Sequence, residues 1–188
     1  MLPTLGLTPA ALDRLTAEAR LDPRRRKHLN LHTSYAEPCQ RLLNAIEPDS
    51  YIRPHCHAGY MTNETLLALR GEFILIEFDV SGAVRSAATF GVGERDLSVC
   101  EVSPDTWHTV LSLMPGSVLF EAKSGPFELS KAKTFAPFSP EEGHEEARDY
   151  LETIRIRALE MAGNARSNSN ARSGVSARCS VPDCGGGT

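Results

Sequence analysis

Leu12, Leu15 and Ala19 recur at helical spacing downstream of Thr8. The period predicts one amphipathic helix, capped by Thr8, with Pro9 in its first turn and Pro23 closing the segment. Over 29–120 the pattern changes to short runs of β-branched and aliphatic residues, divided by turn signals such as Glu-Pro-Asp, Ser-Gly, Ser-Pro-Asp and Met-Pro-Gly. Runs of that kind predict antiparallel β-structure. The clearest unit is a hairpin, with strands over 72–80 and 83–90 flanking Ser81-Gly82. Many short strands without alternating helices favour a sandwich or small barrel over a parallel α/β sheet. Ala147, Leu151, Ile154 and Ala158 then place an apolar stripe on a second helix, near 141–161, that packs on the β unit. After Met161 the sequence turns to Asn, Ser, Arg and Gly, which predicts a disordered, dispensable tail. The expected organisation is an N-terminal helix and basic linker (1–27), a β-barrel (28–138), a C-terminal helix (139–162) and a tail (163–188).

Composition narrows the partners. A chain of 188 residues with 41% hydrophobic residues fits one core, and a formal charge of −4 with a pI near 5.9 provides no global positive field to gather nucleic acid or anionic lipid. The basic run Arg24, Arg25, Arg26 and Lys27 is short and reads as a solvated stretch. Without a long apolar segment or a basic leader, the expected location is cytoplasmic, away from membranes. Five cysteines without a C-x-x-C pair read as free thiols rather than a disulfide framework.

The chemistry concentrates in Tyr51-Ile52-Arg53-Pro54-His55-Cys56-His57, then Glu64, then Trp107-His108. On a strand, His55 and His57 share a face and both reach one ion, while Cys56 points away. Glu64 adds a carboxylate, and His108 is expected from a strand across the barrel mouth. Three imidazoles and one carboxylate suit one divalent transition ion (Fe, Mn, Ni, Co or Zn), with positions left for water or substrate. Strand parity puts Tyr51 and Arg53 beside the histidines as contacts for a small anionic or polyhydroxylated molecule. Asn30 and His32 form a second polar row, with His32 a candidate acid or base. Trp107 reads as core, and no phosphate loop or nucleophile elbow is present.

The H-x-H pair, the downstream Glu, Gly71 and the second histidine segment resemble the two signature motifs of the cupin superfamily. Asn30-Leu31-His32-x-Ser34-Tyr35, Gln40-Arg41-Leu42, the His55/His57 segment, Trp107-His108 and Glu121-x-Lys123-x-Gly125-Pro126-Phe127 together resemble the WbuC family of cupin-fold metalloproteins, over about 8–140. That resemblance implies a bacterial jelly-roll with a metal in its barrel and a link to O-antigen or other surface polysaccharide. The function expected is metal-dependent isomerisation or epimerisation of a small sugar-derived substrate. An iron dioxygenase and a noncatalytic binding or sensing module are the alternatives. The partner expected is a small molecule, and a homodimer is one assembly open to the fold. Two departures stand out: Asp49 occupies the usual opening Gly of the first motif, and six residues rather than three or four separate His57 from Glu64. If Glu64 turns away, three histidines remain.

Overall fold

The computed structural model describes residues 6–59, 61–92, 97–130 and 132–172, with side chains to residue 164. Helix α1, Pro9–Leu21, begins as its sequence dictates, with the Thr8 hydroxyl accepting from the Ala11 N–H at 3.3 Å. The strands are β1 (Arg26–Asn30), β2 (Cys39–Ile46), β3 (His55–Cys56), β4 (Glu64–Arg70), β5 (Glu72–Phe78), β6 (Val84–Gly91), β7 (Val99–Val102), β8 (Trp107–Ser112), β9 (Ser117–Ser124) and β10 (Thr134–Phe135). Helix α2, Ala147–Arg172, closes the described chain.

The strands form two five-stranded antiparallel sheets, ordered β1-β2-β9-β4-β7 and β10-β3-β8-β5-β6. Strands β2 to β5 alternate between the sheets, which makes a jelly-roll barrel with a helix on each flank. Alternation along β5 shows why its sequence is nearly all apolar. Phe73 and Leu75 face the barrel interior, while Ile74, Ile76 and Phe78 face outward beneath Leu151, Ile154 and Ala158 of α2. The other sheet is covered in the same way, with Leu43, Ala45 and Val118 beneath Leu15 and Ala19 of α1. Gly71, at φ +75°, makes the turn from β4 to β5, where a Cβ would stand 2.1 Å from Ser117 Oγ.

Two expectations need correction. The β5–β6 connection is longer than a two-residue turn, because the Asp79 carboxylate accepts from the backbone N–H groups of Ser81 (2.8 Å) and Ala83 (3.0 Å) and organises the loop itself. Helix α2 begins at Ala147 and runs to Arg172, past the expected end near 161. Its packed stripe supplies the costly nucleus, after which Asn, Ser, Arg and Ala extend it at small cost. The part of the tail expectation that covers 173–188 falls outside the described residues. Ala162 is the last buried residue described. Truncation after Asn164 is therefore expected to change the melting temperature by no more than roughly 2 °C, and calorimetry of the shortened chain checks this.

The interior of the barrel divides into two halves. One is filled by Leu66, Phe73, Phe90, Val102, Val110 and Leu119. In the other, the inward row of β2 changes to Gln40 and Asn44, that of β9 to Glu121 and Lys123, and that of β1 to Arg26, His28 and Asn30, and these residues line a cavity of about 710 Å³. The candidate ligands His55, Glu64 and His108 lie at this polar end.

Candidate metal centre

His55 and His108 face each other directly, paired across β3 and β8 of one sheet. The expectation that His108 lies across the barrel mouth is therefore corrected: it is the strand neighbour of His55. Glu64 comes from the opposite sheet, on β4, paired with Lys123 of β9. His57 follows β3, its N–H donating to the Pro104 carbonyl at 2.7 Å. Ligand atoms of His55, His57, Glu64 and His108 all lie within 4.8 Å of one another, and all four residues are buried. The long 58–63 loop does not turn Glu64 away.

The backbone fixes the imidazole tautomers. His55 Nδ1 lies 3.0 Å from the Arg53 carbonyl, His108 Nδ1 2.9 Å from that of Thr106, and His57 Nδ1 2.8 Å from that of Ala132. A carbonyl only accepts, so each Nδ1 carries the hydrogen, and in the neutral ring Nε2 presents a lone pair. Those of His57 and His108 stand 3.2 and 3.3 Å from Glu64 Oε2, and that of His55 has no hydrogen-bond partner. Neutral rings with this tautomer would set acceptor against acceptor, an arrangement that either a metal cation or a proton on Nε2 donated to Glu64 relieves. The backbone carbonyls behind the rings are the outer support that metal-ligating histidines use.

Lys123 Nζ donates to Glu64 Oε1 at 3.1 Å, leaving Oε2 to face the histidines. Burial opposes ionisation of Glu64, but the Lys123 charge and the contacts from His108 and His57 outweigh it and hold the carboxyl well below its ordinary range. Burial, reinforced by the Lys133 and His108 charges, pushes His55 well below the usual imidazole value, so its ring is neutral near pH 7. The donor set thus fits a borderline divalent ion, which three imidazole nitrogens and one carboxylate oxygen would hold.

The two shifts predict how the metal-free protein responds to acid. Unfolded His55, with a pKa of about 6.5, takes up a proton that the folded state refuses, so stability falls as pH drops below that value. Glu64, depressed in the fold, stabilises above the ordinary carboxylate range and loses that contribution as pH falls through its folded value. Both signs agree. Between pH 7.5 and 5 only the His55 proton contributes, and the metal-free protein should lose up to about 1.4 kcal/mol per pH unit below about pH 6.5, the Glu64 loss following at lower pH. Calorimetry between pH 7.5 and 5 checks this, and a flat or rising melting temperature would contradict it.

The remaining expected site residues divide by position. Asn30 and His32 line the cavity, and buried His32 leaves Nε2 unpartnered. Arg53 also lines it, but its guanidinium lies 3.3 Å from Ser139 Oγ and 3.5 Å from the Glu141 carboxylate, over the Phe135 ring. Tyr51 is not a cavity residue. Its hydroxyl donates to the Pro140 carbonyl at 2.9 Å, and its ring joins the apolar cluster under α2. The parity argument fails because 51–54 is not a strand: β3 begins only at His55, after Pro54. Tyr51→Phe should therefore cost about 1 kcal/mol of stability and leave metal content unchanged, as chemical denaturation and elemental analysis would show.

Sequence reasoning assigned no role to Gln40, Asn44, Lys123 or Lys133, all of which line the cavity. Period-2 alternation in β2 and β9 was the available signal for the first three. Lys133, in the connection before β10, had none.

A family model described as a domain of unknown function (DUF6016) matches residues 7–90. No curated protein matches the sequence. Among solved structures the chain is similar to KdgF from Halomonas sp., at 14% identity and a TM-score of 0.43, over 58% of this chain and 86% of that one. It is also similar to the capsular polysaccharide assembling protein CapF from Staphylococcus aureus, at 16% identity and a TM-score of 0.47, over 61% of this chain and 30% of CapF. A third similar structure is an RmlC-like cupin from Desulfovibrio desulfuricans, at 16% identity and a TM-score of 0.45, over 67% and 98% of the two chains. The present chain has a jelly-roll barrel with flanking helices and a buried His/Glu cluster. No helix among the described residues is long and apolar enough to cross a membrane.

Proposed function

We propose that this protein is a metal-dependent enzyme acting on a small polar or sugar-derived substrate, with His55, His57, His108 and Glu64 holding one divalent transition ion. The observation that carries this reading is that the Nε2 atoms of His57 and His108 meet one oxygen of the buried Glu64 carboxylate, that His55 brings a third imidazole within 4.8 Å of them, and that all three Nδ1 atoms are tied to backbone carbonyls. When bound, the ion polarises a carbonyl or hydroxyl oxygen of the substrate.

The chain supplies the rest. His55, Glu64 and His108 are part of the cavity wall, so a ligand in the cavity lies beside the cluster. Lys123 holds one oxygen of Glu64 and leaves the other facing the histidines. His32, with Nδ1 2.9 Å from the Arg41 carbonyl and Nε2 unpartnered in the cavity lining, supports a reading in which it holds or moves a proton. The resemblance to WbuC proteins extends this proposal to bacterial surface polysaccharide as the setting.

Elemental analysis of protein from metal-replete medium tests the metal assignment, with about one ion per chain expected. His32→Gln tests the catalytic one, because it should abolish turnover of any identified substrate while metal content and substrate affinity persist. Unchanged turnover in His32→Gln would remove the acid–base role and favour a binding module.

A further inference from the structure

The β2 wall of the cavity holds unmatched acceptors. Gln40 Nε2 donates to the carbonyls of Glu37 (2.9 Å) and Tyr35 (3.3 Å), which fixes the amide and leaves Oε1 without a partner. Asn44 Nδ2 donates to Glu121 Oε1 at 2.9 Å, which fixes that amide and leaves Oδ1 without one. Both residues are buried in the lining, two positions on either side of Leu42 on the inward row of β2. Unpaired buried acceptors are uncommon, and only an O–H or N–H group satisfies them.

The cations of the lining differ in how far they are already committed. Arg24 is 3.8 Å from Asp22, Arg26 2.6 Å from Glu142, Arg53 3.5 Å from Glu141 and Lys123 3.1 Å from Glu64. Lys133 makes no ion pair or hydrogen bond among the described residues, and it lines the cavity as an exposed side chain in the field of the Glu64 and Glu121 carboxylates and of His55. It is the least committed cation of the lining among the described residues.

From these two observations we infer that the ligand is a polyhydroxylated molecule carrying one anionic group, its hydroxyls donating to Gln40 and Asn44 and its carboxylate or phosphate pairing with Lys133. This rests on the proposed reading of the cavity as a ligand site and assigns its substrate class. A neutral sugar leaves Lys133 unmatched. An apolar acid leaves both acceptors unmatched.

The test is titration calorimetry of the full chain, supplied with one equivalent of zinc, against glucuronate, glucose 6-phosphate, glucose and cyclohexanecarboxylate. Metal content is measured on the same samples. Glucuronate or glucose 6-phosphate is expected to bind about tenfold or more tightly than both glucose and cyclohexanecarboxylate. The tighter of the two identifies the anion as carboxylate or phosphate. Lys133→Gln should erase the advantage over glucose with metal content and melting temperature unchanged. Equal binding of cyclohexanecarboxylate and the preferred anion, an unaltered preference in Lys133→Gln, or no binding of any probe would overturn the assignment. Any of these results with one zinc retained leaves the metal reading intact. Loss of zinc with the anion preference and its Lys133 dependence preserved would instead overturn the metal reading alone.

Discussion

Protein carrying His55→Ala or His108→Ala is expected to lose affinity for its divalent ion by at least about a hundredfold, while remaining folded. Each substitution removes one of only four donors. The two rings are strand neighbours, paired across β3 and β8, so either change also opens the space between them to water. Folding should survive because the apolar half of the barrel and the two helix-covered faces lie elsewhere. Elemental analysis and competition with a chromogenic chelator measure the effect. Metal content equal to wild type in both variants would contradict the assignment.

The second large effect is on stability. Phe73 is fully buried on the inward face of β5, 5.5 Å centre to centre from Phe90. Phe73→Ala removes a ring from the apolar half of the interior and leaves a void bounded by rigid strands, at a cost of about 3–5 kcal/mol. At roughly 2–4 °C per kcal/mol for a chain of this size, the melting temperature should fall by roughly 10 °C. The half-exposed Phe135 of β10 provides the contrast, and its replacement by Ala should cost under about 1 kcal/mol. Equal losses in the two variants would show that the core is not where the alternation of β5 puts it.

Much of this architecture could be read from residue patterns. The α1 cap, the α2 stripe and the antiparallel runs follow from local periodicity, which the folded chain obeys. The gathering of His55 and His57 was also legible in the H-x-H spacing, although His57 lies just past β3 and is held by its N–H bond to the Pro104 carbonyl rather than by strand pairing. Relations between strands are another matter. Nothing in the spacing of His108 from His55 says that they are paired neighbours, since strand order is set by which faces can be buried together. Tyr51 misled for a local reason: Pro54 precedes a strand of only two residues, so parity does not extend upstream. The cavity lining was partly visible in the alternation of Gln40, Leu42 and Asn44. Its unpaired acceptors were not, because an amide's free oxygen is known only once the partners of its nitrogen are placed. Lys133 reaches the cavity through a tertiary connection that no local period describes.

X-ray absorption at the metal edge, on full-length protein loaded with one equivalent of zinc, tests the central claim most directly. The expected spectrum has nitrogen and oxygen scatterers at about 2.0–2.2 Å and the outer-shell pattern of three imidazoles, without sulfur. In His108→Ala with zinc in excess, any bound fraction should show one imidazole fewer. A first shell containing sulfur, or with no more than one imidazole, would place the ion away from His55, His57 and His108 and contradict the account.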